Sequence, residues 1–293
     1  MFDRQEVERI LGGSFNAFRL LCPSGHIPFL FGLNNPRRVY PEDLLGHAEH
    51  MQALKKNISG FSANLPPVPT LLYGHRGTGK TSLILSLWND WNREHPGFPL
   101  KIIQADRHGI DFLPPLIDHL STRTELFILL LDDLTFPEED ASFHQLKALL
   151  DGGVIAASDN TGLVVTSNFR HLVSESKHLS ADSLHPDESR DDSLALYERF
   201  GLALFFEEPS LEEYLLLVLT KSWHAGLLPD VGMDWKERWT DWTKRSSETR
   251  MDPSDKDIRI LRGAVRFSRE KASRSGRVAQ RFVDLLSRDL IQP

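Results

Sequence analysis

The residue types with the clearest chemical meaning form one glycine-rich run, Gly74-His75-Arg76-Gly77-Thr78-Gly79-Lys80-Thr81. The run has the spacing of a phosphate-binding loop, and it lies between an apolar segment typical of a buried strand and a helical pattern. Glycines let successive backbone N–H groups turn towards phosphate oxygens, and Lys80 adds a positive charge beside them. We therefore expect this loop to bind a nucleoside triphosphate, with the hydroxyl of Thr81 as a ligand of Mg²⁺. The alternative, a glycine-rich turn without a ligand, is disfavoured by the strand and helix on either side.

Two carboxylates follow a second apolar segment farther along the chain. The segment Leu126 to Leu131 is typical of a buried strand, and Asp132 and Asp133 come directly after it. We expect Asp132 to hold Mg²⁺ through water. Asp133 stands where a general base or a water-orienting carboxylate is needed. The alternative is a turn at the strand end that uses an Asp as a cap, but a phosphate loop in the same chain favours the metal site, because triphosphate chemistry needs a metal ligand.

Two further polar side chains are candidates for contact with the γ-phosphate. Asn168 follows a strand-like segment and could orient water there, although it could equally cap the following helix. Arg199, in the run Glu198-Arg199-Phe200-Gly201, could reach the nucleotide of a neighbouring subunit and stabilise transition-state charge. For Arg199 the alternative is a surface salt bridge.

Alternating patterns around these motifs predict the elements that position them. Five apolar segments are typical of buried strands: Thr70 to Tyr73, Leu100 to Gln104, Leu126 to Leu131, Leu163 to Thr166 and Leu202 to Phe206. Helical patterns lie between them, so the order predicts an α/β fold with a parallel five-stranded sheet covered on both faces, an αβα sandwich. After Pro209 only helical patterns appear: Leu211 to His224, Met233 to Lys244, Ser254 to Ser273 and Arg277 to Leu290.

This order divides the chain into three regions. Residues 1–40 contain Pro and Gly at close intervals, which predicts an irregular lead-in with a short opening helix. Residues 41–208 are expected to form the nucleotide-binding core, and residues 209–293 an all-helical lid of normal domain size. The segment 174–193 is rich in Ser, Asp, Glu and His, and we interpret it as an insertion in the core.

The net charge of the chain indicates which classes of binding partner are favoured. Over 293 residues, 34 Lys and Arg stand against 41 Asp and Glu, a formal net charge of −7 that gives no support to a strongly basic nucleic-acid coat. The stretch from Lys256 to Arg288 is nevertheless basic, and many of its arginines share a helix face. That face could meet phosphates or the acids of a neighbouring subunit, but the composition favours a solvated face that balances an acidic core.

The composition also indicates the cellular setting. Hydrophobic residues make up 40% and charged residues 26% of the chain, as in globular proteins. Cys22 is the only cysteine, so no intramolecular disulfide and no cysteine-based zinc cluster can form. No apolar run is long enough to span a bilayer. We therefore expect a cytoplasmic protein without contact to a membrane.

Taken in order, six short motifs resemble those of the AAA+ ATPases over roughly residues 41 to 293. They are Asp43-Leu44-Leu45-Gly46-His47, the phosphate loop, Asp132-Asp133, Thr166-Ser167-Asn168, Glu198-Arg199-Phe200 and Ser275-Gly276-Arg277. The amino-acid sequences of several of these motifs are similar to those of an uncharacterised bacterial branch of this superfamily. The resemblance implies a P-loop NTPase core, a helical lid and ATP as the nucleotide, and for that branch it implies no activity beyond ATP binding.

The resemblance also assigns roles to single residues. The implied roles are an adenine pocket lined by Leu45 and Gly46, the Walker A pair Lys80 and Thr81, the metal carboxylate Asp132, the sensor 1 residue Asn168, the arginine finger Arg199 and the sensor 2 residue Arg277, with Arg281 as its substitute. Most members have Glu where this chain has Asp133, and an Asp reaches about one methylene less far towards a water molecule.

Two functional hypotheses follow. The first is a Mg²⁺-dependent ATPase that assembles into a homo-oligomeric ring or partial ring and hydrolyses ATP at the subunit interface, to remodel or load an unknown protein or DNA client. The second is a nucleotide-gated DNA- or protein-binding loader or switch with little turnover. It is suggested by Asp133 and by the basic residues of the lid.

Overall fold

The computed structural model describes residues 3–24, 26–39, 44, 46–63, 65–136, 141–151, 158–168, 197–228, 240 and 256–292. Contacts between residues divide the chain into two compact units. The first unit comprises Met1–Gly74 and Lys80–Phe206, and the second comprises His75–Gly79 and Glu207–Pro293.

A seven-stranded sheet forms the centre of the first unit. Its strands are β1 Ala17–Leu21, β2 Phe29–Gly32, β3 Thr70–Gly74, β4 Leu100–Ala105, β5 Leu126–Leu131, β6 Thr161–Ser167 and β7 Leu202–Phe206. They lie in the order β2-β1-β4-β5-β6-β3-β7, in which β1 and β2 are antiparallel and all other neighbours are parallel. The carboxyl ends of β3 to β7 therefore meet at one edge of the sheet, where open parallel sheets bind ligands.

Helices cover both faces of this sheet. They are α1 Arg4–Leu11, α2 Ala48–Ile58, α3 Lys80–Glu94, α4 Leu113–Ser121 and α5 Ala141–Leu150, with 3-10 helices at Ser59–Ala63 and Arg107–Phe112. Every residue of β5 is buried, and alternate residues point to opposite faces, as the pleat requires. One set packs with α1, α4 and α5, and the other packs with α2 and α3. The predicted αβα sandwich is thus confirmed.

The predicted number of strands was too low. All five predicted strands are present, but β1 and β2 extend the sheet from within residues 1–40, which the sequence indicated as irregular apart from a short helix. Strand β1 pairs in parallel with β4, and its buried Phe18 and Leu20 flank the exposed Arg19. The two strands have only five and four residues, so their alternation is too short to be recognised among the surrounding Pro and Gly.

The second unit is helical in its described residues. Helices α6 Leu211–His224, α7 Lys256–Glu270 and α8 Gly276–Ser287 enclose one apolar core, in which the fully buried Tyr214 donates a 3.3 Å hydrogen bond to the carbonyl of Ala264. A capping box between Ser210 and Glu213 begins α6, because each side chain accepts a hydrogen bond from the backbone N–H of the other residue. These are three of the four predicted helices of this region.

Some predictions concern residues that the structure does not describe. The remaining predicted helix of this region, Met233 to Lys244, lies outside the described residues except for Thr240. The insertion 174–193 lies wholly outside them. Among the helices that are described, none has both the length and the apolar composition needed to cross a bilayer.

Candidate functional site

The glycine-rich loop begins where β3 ends. Gly74 has a φ of 126°, and a Cβ added there would lie 2.2 Å from the carbonyl oxygen of Phe206 on the neighbouring strand β7. Only glycine fits this position, because a side chain would collide with the backbone. Lys80 begins α3 with 5% of its surface exposed, and its ammonium group donates a 3.0 Å hydrogen bond to the carbonyl of Gly74. The ammonium group of Lys80 is therefore held beside the first residue of the loop.

The loop residues His75–Gly79 belong to the second unit by their contacts. Gly77 and Gly79 have φ values of 76° and 105°, in the left-handed region that glycine adopts without strain. The hydroxyl of Thr78 donates a 2.7 Å hydrogen bond to the carbonyl of His75, which closes the turn. Successive N–H groups in such a turn form a concave anion-binding surface, so this geometry suits phosphate oxygens.

The carboxylate of Asp132, which follows β5, is held by three side-chain donors. Its Oδ1 accepts hydrogen bonds from the hydroxyls of Thr81 (2.7 Å) and Thr166 (2.8 Å), and its Oδ2 accepts one from Nε2 of Gln104 (2.9 Å). The structure thus brings together the two residues that the sequence predicted as metal ligands, Thr81 and Asp132. A hydroxyl and a carboxylate are oxygen ligands of the kind that Mg²⁺ prefers.

Gln104 and Thr166 were not among the predicted site residues. The available signal was that each places a polar side chain at or near the carboxyl end of a largely apolar strand, β4 and β6 respectively. Parallel strands that flank β5 must bring such side chains beside Asp132.

Asp133 has an unusual backbone conformation, with a φ of 57°. Its N–H donates a 2.8 Å hydrogen bond to the hydroxyl of Thr166, and its carboxylate accepts a hydrogen bond from the side-chain amide of Asn168. The next residue, Leu134, donates a 2.8 Å hydrogen bond to the carbonyl of Thr166. The chain after β5 is therefore bound to the end of β6, and this brings Asp133 and Asn168 into contact.

Arg199 forms an ion pair within its own chain. Its Nε donates a hydrogen bond to the carboxylate of Asp151, the residue after α5. The side chains of Arg199 and Asp151 remain 26% and 48% exposed. Within the chain this guanidinium is accordingly engaged by an acid that no sequence motif indicates.

Aromatic rings cluster before and within α2. The rings of His47 and His50 pack against Phe206 at centroid distances of 5.0 and 4.6 Å, and burial lowers the pKa of His50. Gly46 precedes them with a φ of 79°. Leu45 lies outside the described residues. The described residues contain no group of three or more His, Cys, Asp or Glu placed to hold a metal ion.

Arg277 lies in the first turn of α8, which Ser275 caps by accepting a 3.3 Å hydrogen bond from the N–H of Val278. The side chain of Arg277 is exposed, as is that of Arg281 one turn later. Within the second unit the helix start lies against the glycine-rich loop. A Cβ added at Gly77 would lie 2.9 Å from Oγ of Ser275 and 3.3 Å from Cβ of Arg277. The close approach requires glycine at this position, since a larger residue would collide with Ser275.

Three solved structures share partial similarity with the chain. They are the ORC2 protein of Aeropyrum pernix (TM-score 0.48, 14% identity, 85% of this chain and 70% of that chain), PCH-2 of C. elegans (0.46, 16%, 86% and 71%) and domain III of the replication initiation protein DnaA of Thermotoga maritima (0.42, 18%, 88% and 100%).

Sequence comparisons define the family. The chromosomal replication initiator protein DnaA of Leptothrix cholodnii is 27% identical over 159 residues, which are 53% of this chain and only 28% of that relative. A model of the family described as "Protein of unknown function (DUF815)" matches residues 15–290. Since the model covers nearly the whole chain, the predicted match to a family without an assigned activity is confirmed, and the chain belongs to the DUF815 family.

Proposed function

We propose that the chain is a Mg²⁺-dependent ATPase that binds ATP at the glycine-rich loop and hydrolyses it at the interface between two copies of the chain. The observation that carries this proposal is the 2.7 Å hydrogen bond between the hydroxyl of Thr81 and Oδ1 of Asp132. It pairs the hydroxyl that follows the loop lysine with the carboxylate at a strand end, and both groups are oxygen ligands suited to a nucleotide-bound Mg²⁺.

Phosphate binding is assigned to the loop backbone and to Lys80. The backbone N–H groups of the loop, from Gly74 to Thr81, include three at glycines with positive φ, where no side chain obstructs an anion. The ammonium group of Lys80 donates a hydrogen bond to the carbonyl of Gly74. Exchange of this carbonyl for a phosphate oxygen keeps the ammonium group hydrogen-bonded and gives it a charged acceptor, which strengthens the bond.

The metal ligands are assigned to Thr81 and Asp132. These two oxygen groups would hold Mg²⁺, which would supply positive charge to the phosphate oxygens during phosphoryl transfer. The chain contributes orientation, because Gln104 and Thr166 fix both oxygens of the Asp132 carboxylate in advance. A pre-oriented ligand loses less conformational entropy when it binds.

The attacking water is assigned to Asp133 and Asn168. The Asp133 carboxylate would accept a proton from that water, and the side chain of Asn168, hydrogen-bonded to the same carboxylate, would hold both in position. The N–H of Asp133 is hydrogen-bonded to Thr166, which fixes the backbone at this residue. The Asp side chain is shorter than the Glu of most AAA+ members and cannot be moved towards the water by a shift of this backbone. We expect slow turnover for this reason.

Assembly into a ring or partial ring is assigned to contacts that place Arg199 of one copy at the nucleotide of the next, where a guanidinium stabilises transition-state charge. Arg277 contributes a second cation beside the loop. The energy of hydrolysis would serve to remodel or load a protein or DNA client.

The experiment is a measurement of ATP hydrolysis over a series of protein concentrations, with molar mass determined at each point. Specific activity that rises with assembly, and that an Arg199→Ala protein loses while retaining its ATP affinity, supports hydrolysis at a shared site. Unchanged turnover in Arg199→Ala removes the role of Arg199 in a neighbouring site.

A second function is favoured by Asp133 itself. Its carboxylate already accepts a hydrogen bond from Asn168, and it is shorter than the Glu of most AAA+ members. A nucleotide-gated DNA- or protein-binding loader or switch would bind ATP tightly and turn it over little or not at all. Tight binding of ATP by an inactive protein at every concentration would select this alternative.

A further inference from the structure

The exposed face of α7 carries a stripe of four arginines, Arg259, Arg262, Arg266 and Arg269, which we call the arginine stripe. All four are exposed, and they are spaced three, four and three residues apart. At 3.6 residues per turn and 1.5 Å per residue, they lie within a sector of about 80° and over about 15 Å of the helix axis. The stripe is therefore a narrow, straight row of guanidinium groups.

The opposite face of α7 fixes the direction of the stripe. Ile260, Leu261, Ala264 and Phe267 are buried and pack with residues of α6 and α8. Because rotation of the helix would bring these side chains into water, the arginines are held on the outer surface of the unit.

The positive charge of the stripe is not neutralised by described residues. None of the four arginines forms an ion pair with a carboxylate in the described ranges, where the one hydrogen bond from a guanidinium group of the stripe runs from Arg266 to the carbonyl of Gln292 at 3.4 Å. Residues 256–288 contain ten Lys and Arg but three Asp and Glu, whereas the whole chain has a net charge of −7. This local excess on an acidic chain is the electrostatic footprint of a polyanion site.

We propose that the arginine stripe binds the phosphate backbone of double-stranded DNA without reading its bases. A row of guanidinium groups about 15 Å long matches a duplex that carries one negative charge per roughly 1.7 Å of its axis. Contacts of this kind position a protein on the duplex and carry no sequence information.

The other residues of the same helix face disfavour two rival partners. No apolar side chain of α7 is exposed, so the face lacks the apolar anchors at which protein partners gain most of their binding energy. The single aromatic residue of α7, Phe267, is buried, so the face offers no ring on which an unpaired base could stack. Charged contacts alone are what a duplex backbone requires.

The proposal for this surface rests on neither ATP binding nor ATP hydrolysis. It would give the ATPase a DNA partner, but the arginine stripe is made of residues to which the nucleotide site assigns no role. Failure of the two proposals is therefore distinguishable, since ATP affinity and DNA affinity can be measured on the same variants.

The test is fluorescence anisotropy of a labelled duplex of mixed sequence, titrated with the full chain between 50 and 200 mM salt. Four phosphate contacts predict that the logarithm of the association constant falls with the logarithm of salt concentration with a slope of about −3 to −4. Each single Arg→Gln variant should reduce this slope by about 1. The fourfold variant R259Q/R262Q/R266Q/R269Q should bind at least about tenfold more weakly at 50 mM salt.

A matched control removes the same four charges elsewhere. Arg19, Arg37, Arg38 and Lys56 are exposed residues of the first unit, and their fourfold replacement by Gln changes the net charge equally. The control should retain the duplex affinity of the wild type, and both variants should retain its circular dichroism spectrum and its ATP affinity.

Three results would overturn the proposal. The first is a lack of stripe-dependent duplex binding at 50 mM salt: either the wild type does not bind, or the two fourfold variants lose affinity equally. The second is tighter, stripe-dependent binding to the single strand of the same length. The third is stripe-dependent self-association of the chain without stripe-dependent DNA binding, which would assign the surface to a second copy.

Discussion

Replacement of Thr166 by Val tests the hydrogen-bond network that holds the two carboxylates. Thr166 is 1% exposed, and its hydroxyl donates to Asp132 and accepts from the N–H of Asp133, both at 2.8 Å. Valine has nearly the same shape but no hydroxyl, so the substitution removes both hydrogen bonds with little change in volume.

The expected loss of stability can be worked from these two contacts. A hydrogen bond to a charged group contributes about 1.5–3 kcal/mol, and an N–H left without a partner costs about 1–3 kcal/mol when it is buried. Asp133 is exposed, so water can reach its N–H and the second contribution lies at the low end. We therefore expect Thr166→Val to lower the free energy of unfolding by about 2–4 kcal/mol.

The assay is urea unfolding of the wild type, Thr166→Val and a control, Thr161→Val. Thr161 is buried in the same strand, but its hydroxyl makes a single 3.2 Å hydrogen bond to the neutral side chain of Asn160, worth about 1 kcal/mol. Equal destabilisation by the two substitutions would refute the reasoning. Thr166→Val should also weaken the Mg²⁺ dependence of ATP binding, which Thr161→Val should leave unchanged.

Three further predictions follow. Gln104→Leu should raise the Mg²⁺ concentration needed for half-maximal ATP binding several-fold, because it frees Oδ2 of Asp132, and an unchanged Mg²⁺ titration would contradict this. Gly74→Ala should destabilise the fold or abolish ATP binding, since its Cβ would meet the β7 backbone, and wild-type unfolding and binding curves would contradict this. Burial raises the pKa of Glu125, but hydrogen bonds from Arg123 and Lys101 outweigh burial and lower this pKa to about 2. Because the carboxylate is stabilised in the folded state, the free energy of unfolding should fall as the pH falls from about 4.5 to 2. In Glu125→Gln the unfolding midpoint should depend less on pH over this range, and an equally steep dependence would contradict the assignment.

The parallel core could be predicted from the sequence because its strands are largely apolar. The central segment Leu126–Leu131 is apolar without interruption and buried on both faces, and all five predicted strands were recognised with nearly correct bounds. Strands β1 and β2 gave no comparable signal, since they lie at one edge of the sheet and Arg19 and Phe31 are exposed. The place of β1 depends on pairing with β4, which is distant in sequence, and β2 pairs with β1.

The candidate site was predictable where a local pattern carries the chemistry. The glycine-rich loop is such a pattern, because its conformations follow from glycine positions that the sequence displays. The partners of Asp132 come from three separate elements, so Gln104 and Thr166 become visible once the strand order is known. The ion pair of Arg199 with Asp151 likewise joins residues far apart in the chain, and no spacing rule predicts it.

The central claim is tested most directly by isothermal titration calorimetry of ATP with Mg²⁺ into the wild type and Lys80→Ala. We predict saturable binding by the wild type that depends on Mg²⁺. Affinity should be at least about tenfold lower in Lys80→Ala, because a charged hydrogen bond to phosphate is worth about 1.5–3 kcal/mol. No binding by the wild type, or equal affinity of the two proteins, would contradict the assignment of the nucleotide site to this loop.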